Sequence, residues 1–179
     1  MPRDFVIVCG DFVLECTPSG LPAIYDELKK HAMLTDESGL NERDLCCLSV
    51  RRTAETWPFL IVALGCPTAA AGLSPGALLA LDAGTLFIGY GERLLAYRLL
   101  PPAKLWTSGA SGGFLFWEQH GEVVLLGAGR ALAAWSSAAE KLWTAPVAQD
   151  WSHEISGESI ELTGEDGRKR RFSLREGPR

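Results

Sequence analysis

Five cysteines and three histidines are the side chains best suited to hold a metal or act as nucleophile and base, and their spacing favours neither role. Cys46 and Cys47 are adjacent, and neighbours on a strand point to opposite faces, so the two cannot easily reach one ion. No Cys-x-x-Cys occurs, and His31, His120 and His153 are scattered, so no tetrahedral zinc set stands out. A cysteine hydrolase needs a thiolate beside a histidine. Cys16 with His120, or Cys47 with His153, would meet only through folding, and no local spacing selects either pair. The expectation is five buried structural thiols, with neither metal nor disulfide.

Gly89 with Gly91, and Gly127 with Gly129, invite a nucleotide-binding reading. That fingerprint requires a strand leading into a helix whose N-terminus faces phosphate. Here strand-like runs stand on both sides, which makes the glycines tight turns. The amides of Ser108 to Gly113 would suit an anion, but the stretch reads more simply as a flexible connection. No catalytic residue and no cofactor is expected.

Binding chemistry is better represented. Arg168-Lys169-Arg170-Arg171 is the one dense positive cluster. On a strand it guards an exposed edge against pairing, or it meets an acidic protein partner. Of six tryptophans, Trp57, Trp117 and Trp151 stand outside the recurring aromatic positions described below. An exposed ring among them would stack on a sugar or anchor a protein partner. The partner-binding candidates are therefore Trp117, His120, Trp151, Arg168 and Arg170.

The elements that must position these residues repeat. Shifting Thr85–Arg98 forward by 38 positions lays Gly89, Gly91, Leu94 and Ala96 on Gly127, Gly129, Leu132 and Ala134, and Tyr97 on Trp135. Lys104-Leu105-Trp106-Thr107 recurs as Lys141-Leu142-Trp143-Thr144, now 37 positions on. A weaker third copy places Gly164 under Gly127 and Phe172 under Trp135. Each unit has short apolar and aromatic runs cut by glycine turns, the pattern of a four-stranded antiparallel meander. Trp106 and Trp143 should occupy equivalent, largely buried places. Tyr97, Trp135 and Phe172 should share a second such place between units.

The sequence of apolar strand, Gly-x-Gly, Leu-x-Ala-aromatic and Lys-Leu-Trp resembles the blade of a quinoprotein-type (PQQ-like) β-propeller, over residues 77–174. The resemblance implies blade-like sheets that offer binding surfaces. The segment from Trp57 to Pro178 is also similar to a group of uncharacterised bacterial proteins, which implies a bacterial source.

Ahead of the repeats, Gly10-Asp11 suits a hairpin turn between Phe5–Cys9 and Phe12–Cys16. Ser19 to Met33 predicts one helix, capped by Ser19, with a stripe of Ile24, Leu28 and Ala32. Thr35–Arg43 reads as a surface loop, Leu45–Val50 and Phe59–Gly65 as strands, and Cys66–Gly76 as a linker. The expected fold is mainly β: residues 1–66 form a hairpin, helix and strand pair, and residues 77–179 form three propeller-like units continuous with them. A two-layer β-sandwich is the alternative.

At 47% hydrophobic and 22% charged residues, the chain has the composition of a globular domain. Its formal net charge of −5 argues against nucleic acid or an anionic membrane as partner. Odd, unframed cysteines and the lack of a signal-like segment suggest the cytoplasm. The functional expectation is a non-catalytic bacterial protein-binding module, such as an immunity or regulatory subunit, monomeric alone and binding a toxin, effector or other acidic protein. The alternative is a small-ligand protein that holds a sugar or nucleotide in an aromatic pocket.

Overall fold

Gly10, at φ +57°, turns the chain back so that β1 (Phe5–Cys9) and β2 (Phe12–Thr17) pair with Cys9 opposite Phe12. The computed structural model describes residues 4–66, 74–148 and 150–178. Most of the expected linker, residues 67–73, lies outside them. β4 (Asp44–Arg52) and β5 (Leu60–Cys66) continue the sheet antiparallel beside β2.

Two N-terminal expectations are corrected. The helix is only α1 (Tyr25–His31), and no side chain caps it. Gly20, at φ +127°, and Pro22 hold the preceding residues outside helical geometry, and the Gly20 N–H is tied to the Leu45 carbonyl at 2.8 Å. Ile24 is exposed, and the stripe on the sheet is Leu21, Tyr25, Leu28 and Ala32, packed over Cys47, Ile61 and Ala63. The expected loop at Thr35–Arg43 contains β3 (Leu34–Ser38), which runs parallel to β5. Its polar residues are those of an outer edge. Asp36 accepts a hydrogen bond from the buried Tyr97 hydroxyl at 2.5 Å and pairs with Lys104 at 2.7 Å. Glu37 accepts from Tyr25 at 2.8 Å.

The next two sheets are copies. β6 (Gly76–Ala80), β7 (Thr85–Tyr90), β8 (Arg93–Leu99) and β9 (Pro102–Gly109) form one meander. β10 (Phe114–His120), β11 (Val123–Ala128), β12 (Ala131–Ser136) and β13 (Lys141–Pro146) form the other. Even the irregularity recurs. The register slips after Ala96 and after Ala134, which leaves Leu105 and Leu142 as the extra residues of matching bulges.

β14 (Ser152–Ser156), β15 (Ser159–Thr163) and β16 (Lys169–Ser173) form the last sheet. Among the described residues it has three strands, where a fourth was expected. Beyond Ser173 the chain turns back, and among the described residues only Gly177 pairs with it, as an isolated bridge.

The sheets stack in chain order through both faces of their strands. In β7, Leu86, Ile88 and Tyr90 pack toward the first sheet while Phe87 packs toward the next. In β11, Val124 and Leu126 face backward and Val123 and Leu125 forward. This period-2 division of wholly buried strands makes three cores between four sheets. The architecture is mainly β and propeller-like, and it replaces the two-layer sandwich.

The aromatic repeat follows the same logic. Tyr97, Trp135 and Phe172 each join the core shared with the preceding sheet, and Trp106 and Trp143 the core shared with the following one. Trp106 Nε1 donates to the Ala139 carbonyl at 2.8 Å, and Trp143 Nε1 to the Leu174 carbonyl at 2.9 Å. The two indoles are equivalent clasps between successive units. Trp143 is buried, and Trp106 is partly so.

The glycine pairs do more than turn. Gly91 has φ +58° and belongs to a turn, but Gly89 and Gly127 lie inside strands, where a Cβ would overlap the rings of Phe114 and Phe116. Gly129 packs on the Gly112 backbone. The expected flexible connection is tied down as well: Ala110 N–H donates to the Glu92 carbonyl at 2.8 Å and Phe114 N–H to the Gly91 carbonyl at 2.7 Å.

Candidate functional site

The β15–β16 hairpin sets one wall of the candidate site. Gly167, at φ +74°, allows the reversal, the Gly164 N–H donates to the Arg168 carbonyl at 3.0 Å, and Asp166 Oδ1 accepts from the Arg168 N–H at 3.0 Å. The turn thus projects Arg168, whose exposed guanidinium pairs with Asp166 at 3.3 Å. Arg170 follows, in register with Leu162. The segment entering β14 supplies the opposite wall through Val147, Ala148 and Trp151. Together they line an open cleft of about 920 Å³. Three of the five partner-binding candidates, Trp151, Arg168 and Arg170, therefore come together.

Trp151 also borders a second opening, of about 440 Å³, floored by aromatic rings. Its ring lies 6.1 Å from Phe116 and 5.8 Å from His153, and His153 stacks on Phe116 at 5.3 Å and 14°. Leu115, nearly half exposed, stands at the rim.

His120 is elsewhere. It ends β10 and borders a cleft of about 630 Å³ with Glu122, Glu158 and Arg175. It is connected to the aromatic opening through Glu118. Glu118 Oε1 meets His120 Nε2 at 2.7 Å, and Oε2 meets His153 Nε2 at 2.8 Å. One carboxylate thus joins the first strands of two successive sheets. Burial is the largest single influence on it and raises its pKa. The hydrogen bonds and charges of His153 and His120 together outweigh burial and hold the carboxyl below its ordinary value.

Trp117 is corrected as a surface candidate. Its partly buried ring packs inward against Phe87 at 5.2 Å, Phe114 at 5.8 Å and Trp135 at 5.7 Å, on the core between the two four-stranded sheets. Its Nε1 is buried without a hydrogen-bond partner among the described residues.

Sequence reasoning missed Glu118 and Phe116, and it offered His153 only as a partner for Cys47. A signal was present, because carrying the 37-residue offset back to the first strands lays His153 on Phe116, the two rings that stack. The cysteine–histidine pairs do not form. Cys16 and Cys47 lie in the first sheet, whereas His120 and His153 lie in the third and fourth. The five cysteines are free, and burial pushes the Cys16 and Cys47 thiols up to about 12. Such thiols are protonated at neutral pH and poor nucleophiles. Among the described residues no group of three His, Cys, Asp or Glu side chains has metal-holding geometry, and no helix is long and apolar enough to cross a membrane.

Neither a protein-family model nor a curated protein sequence matches the chain. Among solved structures it is similar to the crystal structure of BamB from Moraxella catarrhalis, with 15% identity and a TM-score of 0.49. The match covers 96% of this chain and 45% of that one, so the chain spans about half the length of that structure.

Proposed function

We infer that this chain is a protein-binding module without a catalytic part, and that its partner docks on the last sheet. The observation that carries the reading is the convergence of Trp151, Arg168 and Arg170 on one open cleft. An aromatic ring beside guanidinium groups is the composition of an interface hot spot. The positive cluster also stands out against a net charge of −5, which selects an acidic partner. An immunity or regulatory subunit in the bacterial cytoplasm, monomeric until it meets a toxin or effector, fits such a surface.

The test is affinity capture from bacterial lysate with the wild-type chain and with Trp151→Ala/Arg168→Glu/Arg170→Glu, followed by identification and reconstitution of the captured protein. A stoichiometric partner held by the wild type and lost by the folded triple variant is the expected result. A partner retained equally by both, or no partner at all, overturns the reading.

A second reading has its own support. Phe116, Trp151 and His153 form a ring-lined opening with Glu118 beside it. That arrangement suits a sugar, whose apolar face stacks on aromatic rings while a carboxylate accepts from its hydroxyls. Saturation-transfer NMR with a panel of mono- and disaccharides separates the two readings.

A further inference from the structure

In each of the two complete units, a fourth antiparallel strand covers the third, β9 beside β8 and β13 beside β12. Beside β16 that position is begun, and among the described residues no strand covers it. Gly177 N–H donates to the Ser173 carbonyl at 2.9 Å, as the first rung of such a strand, and the described chain ends at Pro178. The direction of the free backbone follows from two bonds. Ser173 turns its carbonyl outward to Gly177, while Arg168 turns its carbonyl inward to Gly164. Peptide groups alternate sides along a strand, so Lys169 and Arg171 direct their N–H and C=O groups out of the sheet edge.

The side chains on this edge specify charge. Lys169 pairs with Glu161 at 2.6 Å and Arg168 with Asp166, while Arg170 and Arg171 make no ion pair among the described residues. Lys169 and Arg171 alternate with Arg170, so both faces of an added strand would meet positive charge. Arg170 also borders two open clefts, the Trp151 cleft of about 920 Å³ and another of about 540 Å³ lined by Phe172, Glu176 and Pro178. They leave room for side chains of an incoming strand.

We propose that the exposed edge of β16 binds an acidic extended segment of the partner protein as a fourth strand of the last sheet. The proposal rests on the protein-binding reading and assigns it a mode, strand addition. Main-chain bonds to Lys169 and Arg171 give attachment, and carboxylates facing Arg170 and Arg171 give selectivity.

The test uses the full chain, isotope-labelled for NMR, and a synthetic peptide of about nine residues alternating glutamate with valine, a strand's length with short flanks. The expected result is saturable binding that protects the Lys169 and Arg171 amides from exchange. The lysine-for-glutamate peptide should bind at least about tenfold more weakly, as should the glutamate peptide in high salt. A backbone N-methylated peptide should not bind. Arg171→Pro removes an outward N–H that no strand in the sheet uses, so it should fold and lose binding. Arg170→Glu/Arg171→Glu should fold and prefer the lysine peptide.

No binding, or binding that leaves both amides unprotected, overturns strand addition. Protection of those amides in the peptide-free chain, with a dimer by light scattering, assigns the edge to a second copy and also overturns it. If Arg171→Pro keeps the partner captured by the wild type, strand addition fails while the protein-binding reading stands.

Discussion

Two tryptophans show how much a polar atom decides at the scale of one residue. Trp143 is buried and Trp117 partly so, but Trp143 Nε1 donates to the Leu174 carbonyl and the buried Trp117 Nε1 donates to nothing among the described residues. Truncating either to alanine should cost about 3–5 kcal/mol. Replacement by phenylalanine should separate them. Trp143→Phe leaves a buried carbonyl unpaired, about 1–3 kcal/mol, whereas Trp117→Phe removes an unsatisfied donor and should cost less. Urea unfolding midpoints of the two variants measure the difference, and equal losses would show that the clasp hydrogen bond is immaterial.

Glu118 adds a pH dependence at the same scale. Its folded pKa lies below the ordinary value of 4.5, so the clamp contributes stability above that value and loses it as pH falls through the folded pKa. The half-exposed carboxylate keeps the size of the effect small. Glu118→Gln should narrow the gap between unfolding midpoints measured near neutral pH and below the ordinary carboxylate value. An unchanged gap would remove Glu118 from the account.

At the scale of the element, glycines decide how closely the sheets approach. Gly89 and Gly127 stand at equivalent positions, and each gives its space to a phenylalanine ring. Their φ values are not in the left-handed region, so the constraint is volume and not backbone conformation. Gly127→Val should therefore cost at least about 1–3 kcal/mol through overpacking, while Gly121→Ala, in a turn at φ +57° with open space around it, suffers only backbone strain. Thermal unfolding of the two variants ranks the effects. The polar β3 is the converse case, an edge strand held by parallel pairing to β5 and by Asp36 and Glu37. Asp36→Ala would leave the buried Tyr97 hydroxyl without its acceptor, and the loss should exceed that of Glu15→Ala, whose contact with Arg51 is a 3.3 Å surface pair.

On the scale of the whole molecule, each sheet shares a core with its neighbour in the stack, so stability should vary along it as in other repeat arrays. The first sheet has α1 on its outer face, whereas the outer face of the last presents Glu154, Glu161, Lys169 and Arg171. Native-state hydrogen exchange should find β15 opening at lower free energy than β5 or β7. Trp143→Ala should widen that gap by loosening the last core without equal loss in the first. Uniform loss of protection in all four sheets would instead mean one cooperative unit.

The sequence by itself determined the repeating part of this protein. Short apolar runs, glycine spacing and the recurring Lys-Leu-Trp are local patterns, and a strand buried on both faces must be apolar along its length wherever it occurs. They located the strands of the two complete units and the paired indoles. Tertiary structure alone decided the remainder. Polar β3 has no apolar pattern to read, and only its parallel pairing with β5 at the edge of the first sheet makes it a strand. Trp117 faces inward because Phe87 of the preceding sheet receives it. His120, Glu118 and His153 meet because β10 and β14 begin adjacent sheets. Contacts between sheets depend on which faces the stack brings together, and spacing within one strand does not encode that.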